Sequence, residues 1–537
     1  DDEAHYHLGM SYYQQGNLQQ ALEHFKIVSS HHLGHACYLA QMLQKQGHLE
    51  EGISCLESAL ESHPNSAILY HRLGTLYVAA YQLEKALGYF LQTIQLEPHY
   101  AMAYHHAAEI YREFKQWDLA IDYYHKALTL NPHAVEIYSK LGDTYEHQGD
   151  IAQTTFYYRK AFAQQSTDAN RLRLACLLPP IYQSLQELRE YREQFKANIA
   201  DLLQHPLQIT NPLLEVQKTH FYLAYQGFND RELAMQMAQL YRPLLPERTH
   251  HDTPLQKRGQ GEFRIGFISS FFSNHSVWRT FGQLLLKLPK DLFEIFAIAA
   301  YGTKTDQVTT YLISQVDHYL ELPYDLTKSY ELIARLNLDI LVYTDIGMQP
   351  FTYFLAFTRL APLQCVLSGH PVTSGIPTID YFISSQLIEL SSAQDHYSEK
   401  LLLLKGLHVD YLKPELPPLR SKGALGIPDH QHIYFCPMVL FKIHPEFDEA
   451  LADILRLDPK AHIYFVQYGH MQQFLQQRFE QSMQDVIQRI HFLPWLSFDD
   501  LLLWMYHSHV VLDSFHFGGG NTVRLALGIG TPVVTWP

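Results

Sequence analysis

The stretch HFGGGNTVRLALGIGTPVVTWP, residues 516–537, sets three glycines and an Asn-Thr pair between two apolar runs. At Gly518, Gly519 and Gly520 no Cβ keeps a ligand from the backbone. The VRLALGIG that follows reads as a helix, whose amino end attracts negative charge. Asn521 and Thr522 add side-chain hydrogen bonds. This combination suits a phosphate or diphosphate; a tight strand-to-helix turn is the plainer alternative. Three other loops carry comparable chemistry. FISSFFSNHS (267–276) holds His275, an imidazole able to take a hydroxyl proton or to orient a bound group. GHPVTSG (369–375) holds His370, Thr373 and Ser374. FCPMVLFKIHP (435–445) holds Lys442 among Val439, Leu440, Phe441 and Ile443, surroundings uncommon for a surface lysine.

Each loop follows a short apolar run. FRIGFISS (263–270), FEIFAIAAY (293–301), DILVYTDI (339–346), QCVLSGHP (364–371) and DYFISS (380–385) are strand candidates, separated by helix-like segments such as TFGQLLLKL (280–288). After the Pro/Gly-rich KPELPPLRSKGALGIPDH (413–430) the rhythm restarts. HIYFCPMV (432–439), AHIYFVQY (461–468), RIHFLPW (489–495), HVVLDSF (509–515) and PVVTW (532–536) form the second set. Apolar strands alternating with helices imply parallel sheets covered on both faces. Ligands of such sheets bind at the carboxyl ends of the strands, where the four loops lie. The expectation is two Rossmann-like halves, 261–415 and 416–537.

The amino-terminal part has a different period. Residues 67–100 and 101–134 are two segments of 34 residues in register. Tyr70 matches Tyr104, Leu73-Gly74 matches Ala107-Ala108, and Tyr77 matches Tyr111. Ala86, Phe90 and Pro98 match Ala120, Tyr124 and Pro132. Small residues let paired helices approach, aromatics fill the space between them, and the proline ends the second helix. The pattern resembles tetratricopeptide repeats. It extends to 33–66 (Ala59, Pro64), to 2–32 (Gly9, Tyr12, Ala21, Phe25) and to 135–168 (Tyr138, Leu141, Gly142, Tyr145, Ala161). Five repeats over 1–168 make an α-solenoid whose groove either binds protein or peptide or supports the rest and mediates dimerisation. Residues 169–260 read as a helical adapter and linker, with the domain boundary in RTHHDTPLQKRGQGE (248–262).

Composition sets outer limits. A chain of 537 residues, 47% apolar and 18% charged, is a multidomain globular protein. A formal net charge of −15 argues against general affinity for nucleic acid or anionic membrane. Five scattered cysteines, Cys37, Cys55, Cys176, Cys365 and Cys436, fit a reducing, cytoplasmic setting without disulfides or a cysteine zinc site. Among 33 histidines the densest cluster, HHLGH (31–35), lacks zinc spacing, so no metal is expected. Asp499-Asp500 reads as a charge pair at a helix start.

The four cleft loops in this order, after such repeats, resemble the catalytic region of the O-GlcNAc transferase and SPINDLY family of glycosyltransferases, family 41. The resemblance implies a glycosyltransferase-B fold. It assigns the donor diphosphate to Gly518, Gly519, Gly520, Asn521 and Thr522, with Lys442 stabilising the leaving nucleotide. His275 stands near the sugar and acceptor. His370, Thr373 and Ser374 line the acceptor or sugar side, although His370 reads equally well as a cap on the next turn. No cofactor is implied beyond a nucleotide-sugar donor, UDP-linked in the family.

The chain departs from that family at several positions. Leu525 stands where relatives carry an acid near the ribose, Phe498 where they carry a ribose lysine, and Phe271 where they carry an acid before the histidine. The glutamine expected before Lys442 is replaced within Met438-Val439. Tyr38, Arg72, His106 and Lys140 replace an asparagine ladder in the repeats. The function expected is transfer of a sugar, GlcNAc from UDP-GlcNAc in the family, to Ser or Thr of proteins held by the repeats. GDP-fucose and UDP-glucose are alternative donors. A non-catalytic scaffold with a degenerate transferase domain is the alternative class, and a sugar-nucleotide epimerase is a third. Because relatives continue further, Pro537 reads as a truncation of the second half.

Overall fold

The computed structural model describes residues 2–15, 17–27, 33–246 and 263–536. The linker expected at 248–262 lies outside the described residues, as do His31 and His32.

Small residues decide how the amino-terminal helices pair. A Cβ on Gly74 would stand 2.5 Å from the Phe90 ring, and one on Gly142 would stand 2.3 Å from Tyr158. Gly9 faces Phe25 in the same way, at 2.8 Å. In these three pairs the aromatic of the second helix therefore lies directly on the backbone of the first. Ten helices among the described residues make five pairs, from Asp2–Gln14 with Leu18–Ile27 to Val135–Gln148 with Ile151–Gln164. They form one compact unit, Asp1–Gln148 with Ala152–Gln165. The ladder positions carry bulk: His106 stacks on Phe90 at 5.2 Å, and Lys140 lies 3.6 Å from Glu109.

The second compact unit comprises Gly149–Ile151 and Ser166–Pro537. The adapter helices Asp168–Ala175, Leu185–Leu203 and Arg231–Tyr241 belong to it. Their Leu172, Phe195, Met237 and Tyr241 share one core with Ile298, Tyr343 and Phe354 of the α/β region. The adapter is thus packed as a wall of the first half.

The first half is a parallel sheet of β1 (Phe263–Ser269), β2 (Phe293–Ala299), β3 (His318–Glu321), β4 (Ile340–Tyr343), β5 (Leu363–Leu367), β6 (Tyr381–Ser385) and β7 (Lys400–Leu404). Its order is β3-β2-β1-β4-β5-β6-β7. The second half is a parallel sheet of β8 (His432–Cys436), β9 (Ala461–Val466), β10 (Ile490–Leu493), β11 (Val510–Leu512) and β12 (Val533–Val534), in the order β10-β9-β8-β11-β12. The expected strands form, and β3 and β7 are additional. Both are edge strands with exposed positions, so HYLE and KLLLL lack the buried apolar signature.

Strand order reverses beside β1 in the first sheet and beside β8 in the second. At such points adjacent strands send their connections to opposite faces, which opens a crevice at their carboxyl ends. The loops after β1 and β4 flank the first crevice. Those after β8 and β11, carrying Lys442 and the glycines, flank the second.

Candidate functional site

The glycine loop is shaped by one carboxylate. Asp513, at the end of β11, accepts the N–H groups of Ser514 at 3.0 Å and Gly519 at 2.6 Å, and the Thr535 hydroxyl at 2.9 Å. This folds the loop back onto its own strand. A Cβ on Gly519 would fall 2.4 Å from Met438, which is buried beneath it, and Gly520 takes φ +30°. Both positions require glycine. The helix Asn521–Gly528 then opens as expected, its first N–H groups lacking a side-chain cap. Asn521 Oδ1 is buried with no hydrogen-bond partner among the described residues. Buried amides are ordinarily satisfied, and either end of this one can face a ligand after a half-turn. These features fit a diphosphate.

Lys442 closes the other side. It ends the short turn Leu440–Lys442, and its Nζ donates to the Gly518 carbonyl at 3.1 Å. The ammonium also lies 4.7 Å from the centre of the Phe517 ring. Burial lowers its pKa to about 8, against an upward pull from Asp513. The cation is therefore held in apolar surroundings beside the glycine loop. Arg478 braces this turn from behind: it donates to the Ile443 carbonyl at 2.9 Å, to the Tyr182 carbonyl at 2.9 Å and to both Asp448 oxygens.

His370 follows β5 and is buried, 5% exposed. Its ring stacks on Phe221 at 5.0 Å and lies 6.1 Å from Phe517. A Cβ on Gly347 would stand 2.9 Å from this ring, and one on Gly369 would fall 2.0 Å from the Thr344 carbonyl. Both glycines keep room for the loop. Burial, then His220 and Lys442, lower the His370 pKa to about 3, so the ring is neutral near pH 7. It caps no helix; the stretch after it is irregular. A pocket of about 380 Å³, including its open mouth, is lined by His370, His220, Phe221, Gly347 and Ser374. Thr373 and Ser374 are buried, and both hydroxyls donate to the buried Glu399. Both thereby fasten the loop that carries His370, and both line the same pocket.

His275 belongs to the loop after β1. Its Nδ1 accepts the Val277 N–H at 3.3 Å, capping the helix Ser276–Leu286, and its ring stacks on Phe271 at 4.0 Å. The cap fixes the orientation of the ring at the start of that helix. Phe271 packs this ring where an acid was the family expectation. Asp345 holds the start of the loop, accepting the Ser270 N–H at 3.3 Å; burial raises its pKa to about 6.

The structure thus gathers Lys442, Gly518 and His370 around one aromatic cluster, with His275 on the neighbouring loop. That cluster, Phe221, Tyr225, Phe441 and Phe517, was not anticipated. Tyr225 and Phe517 rings lie 4.4 Å apart, and Tyr225 and Phe441 rings 4.8 Å apart. Two of the four come from the adapter, where the dense aromatics of HFYLAYQGF (220–228) were the available signal. Leu525 is 4% exposed in a core with Ile427 and Trp504, and Phe498 carries the Arg279 guanidinium at 4.1 Å. Asp499 and Asp500 lie in the first turn of Phe498–His507, capped by Ser497. One donor atom each from His444, Glu446 and His516 come within 4.8 Å of one another, and the Glu446–His516 pair is already joined at 2.7 Å. No helix among the described residues is long and apolar enough to cross a membrane.

Residues 240–411 match the model of glycosyl transferase family 41. Residues 2–28, 39–101 and 108–149 match tetratricopeptide-repeat models. The chain is 25% identical over 317 residues to the probable UDP-N-acetylglucosamine–peptide N-acetylglucosaminyltransferase SEC of Arabidopsis thaliana, covering 55% of this chain and 31% of that protein. It is 24% identical over 267 residues to the UDP-glucose:protein N-beta-glucosyltransferase of Actinobacillus pleuropneumoniae, covering 48% and 42%. The chain therefore spans less than half the length of either relative. A solved point mutant of Thermobaculum terrenum O-GlcNAc transferase superposes with TM-score 0.63 at 19% identity, over 87% of this chain and 82% of that one, which establishes the shared fold.

Proposed function

We propose that this chain, whose residues 240–411 match glycosyl transferase family 41, transfers a sugar from a nucleotide donor to hydroxyl groups of proteins engaged by its repeats. One observation carries the reading: the Lys442 ammonium is tied to the glycine loop at the switch point of the second sheet. In glycosyl transfer the bond from sugar C1 to the phosphate oxygen breaks while C1 bonds to the acceptor oxygen, negative charge grows on the departing diphosphate, and the acceptor's hydroxyl proton passes to that diphosphate or to solvent. N–H groups at the start of Asn521–Gly528 and the Lys442 ammonium meet that charge. His275, on the loop after β1, stands on the sugar and acceptor side. Neutral, buried His370 and its aromatic neighbours exclude water from the reacting carbon.

The relatives support a UDP-linked donor, and GlcNAc and glucose are the sugars their names carry. Five free cysteines suit a reducing, cytoplasmic setting. A second reading, a binding scaffold without turnover, is favoured by Leu525 in the core and Phe498 under Arg279, which leave the ribose without the polar contacts of relatives. Calorimetry with UDP, GDP and their sugars, followed by mass spectrometry of protein acceptors, separates the readings. Transfer supports the enzyme; nucleotide binding without transfer supports the scaffold; absence of both sinks the two together.

A further inference from the structure

Three side chains of metal-ligating type meet between the two loops of the second crevice. His444 and Glu446 follow Lys442 in the loop after β8, and His516 precedes Gly518 in the loop after β11. Glu446 Oε2 lies 2.7 Å from His516 Nε2 and 3.7 Å from His444 Nδ1. The two imidazoles meet edge to face, their centres 4.4 Å apart. One ligand atom from each residue lies within 4.8 Å of the other two. Bonds of about 2.0–2.1 Å at tetrahedral angles set ligand atoms about 3.3 Å apart, a spacing that the 2.7 and 3.7 Å contacts straddle. His444 Nδ1 is otherwise engaged by the Glu446 N–H alone, at a long 3.3 Å. The backbone is shaped around the set. His516 takes φ +63°, a conformation uncommon for a residue with a Cβ. Gly227 of the adapter leaves it room, since a Cβ there would stand 2.7 Å from the His516 ring. The His444 side chain is 3% exposed and that of Glu446 is 42% exposed, so the set has a buried floor and an open mouth. Arg478, which donates to the Ile443 carbonyl, has its charge matched by Asp448. Spacing along the chain conceals the set, because 70 residues separate Glu446 from His516.

We propose that His444, Glu446 and His516 bind one divalent transition cation of the zinc class, which fastens the Lys442 loop to the glycine loop. Two imidazoles and a carboxylate are a donor set for zinc and its neighbours, whereas magnesium and calcium call for oxygen ligands. Three protein ligands leave a fourth place, which water fills at the open mouth. The ion does no bond-breaking in this scheme. His444 stands two residues after Lys442 and His516 two residues before Gly518, so it spans the same two loops as the 3.1 Å bond from Lys442 Nζ to the Gly518 carbonyl. Holding both loops at once fixes the ammonium against the glycines before any ligand arrives. The metal seat stands whether or not transfer occurs; its effect on the donor rests on the function proposed above.

The test uses the full chain, freed of metal with a chelator, beside H516N and E446Q. Asparagine tolerates the left-handed backbone at 516, and glutamine keeps the shape of the carboxylate, so both variants should retain parental circular dichroism. If one fails to fold, the other carries the test. Cobalt chloride is titrated and read by its visible absorption, and zinc chloride is read by competition with a chromophoric chelator. The parent should take up one tight equivalent of either ion, and magnesium should not compete. Loss of one ligand should weaken that uptake roughly a hundredfold. Weaker sites among the other histidines should be common to all three proteins and cancel in the comparison. Zinc should raise the Tm of the parent and leave both variants unmoved. Uptake equal in the parent and the variants, or no tight equivalent in the parent, overturns the seat and leaves Glu446 and His516 as a hydrogen-bonded pair. Calorimetry with UDP then reads the tie between the loops. Zinc should tighten UDP binding roughly fivefold or more in the parent and not in H516N. UDP affinity unchanged by zinc in the parent overturns the tie. Failure of UDP to bind with or without zinc strikes the proposed function, and the seat is then decided by metal uptake.

Discussion

Replacing Lys442 by methionine keeps the stem that lies along Phe517 and removes only the charge. The ammonium is hydrogen-bonded to the glycine-loop carbonyl at 3.1 Å, so a diphosphate cradled by that loop comes within about 4 Å of it. Two unit charges at that distance interact by about 4 kcal/mol at an effective dielectric near 20. Removing one preorganised donor from a developing oxyanion costs about 2.7–4 kcal/mol, or roughly 10²–10³ in kcat. The two figures agree, and the larger part should fall on turnover because charge on the leaving group grows during transfer. Affinity for the free nucleoside diphosphate, which carries the extra charge, should fall more than affinity for the intact donor. The pH profile gives an independent reading. With the Lys442 pKa lowered to about 8 by burial, the charged form prevails below that pH and is lost above it. Parental kcat/KM should therefore decline above about pH 8, and the decline should vanish in the variant. Initial-rate kinetics from about pH 6.5 to about 9.5, spanning that pKa, on the first donor that supports transfer provide the assay. Turnover within threefold of the parent, with the alkaline limb intact, would falsify this account of the leaving group.

Arg478→Met strands Asp448, 5% exposed, without its partner, and should cost about 3–5 kcal/mol in urea unfolding of the second unit. The double variant with Asp448→Leu should recover much of that loss; a cost under about 1 kcal/mol refutes the pair's structural weight. Gly74→Val forces a side chain to within 2.5 Å of Phe90 and should destabilise the repeats by about 1–3 kcal/mol, read as a lower Tm of the first unit; an unchanged Tm refutes the close approach. His370 and His220 titrate at about 3 and about 4 in the folded chain, both because of burial. Below pH about 6.5 the unfolded chain holds more protons than the folded one, so stability should fall on acidification by roughly 1 kcal/mol per pH unit for each ring. Urea midpoints from about pH 7.5 to about 5 should show this slope, shallower in His370→Phe; identical slopes contradict the burial argument.

The fold was legible because its determinants are local. Repeats of 34 residues display their small and aromatic positions in one line of sequence, and Gly74 against Phe90 is the contact they encode. Apolar runs likewise announced the central strands, while β3 and β7, at sheet edges, carry too little buried surface to stand out. In the site, the glycine loop and Lys442 were visible as residue types after strands. Their supports were not. Asp513 reads as an ordinary strand-end acid until it folds Gly519 back onto itself, and Glu399 lies 25 residues from the Ser374 it fastens. Phe221 and Tyr225 reach the cleft from a segment with no strand or helix period of its own. Sequence displays what a residue is, and tertiary packing decides what it faces. Leu525 shows the difference: its type flagged a missing acid, and its burial beside Ile427 and Trp504 is what the type alone does not display.

These supports also explain a buried ion pair that is expensive to keep. Replacing a pair such as Arg478–Asp448 by apolar residues often leaves stability unchanged or raises it, so stability alone does not account for its presence. Arg478 spends its remaining donors on two carbonyls, Tyr182 of the adapter and Ile443, the residue after Lys442. An apolar side chain in its place fills the volume but satisfies neither carbonyl. The turn bearing Lys442 is then held only by packing, and a donor that must meet charge within a few tenths of an ångström loses its fixed position. Electrostatic stabilisation of a leaving group depends on dipoles that do not have to reorganise. On this reasoning the stabilised double variant of Arg478 and Asp448 keeps its fold and loses turnover, while Lys442→Met loses turnover with the brace intact.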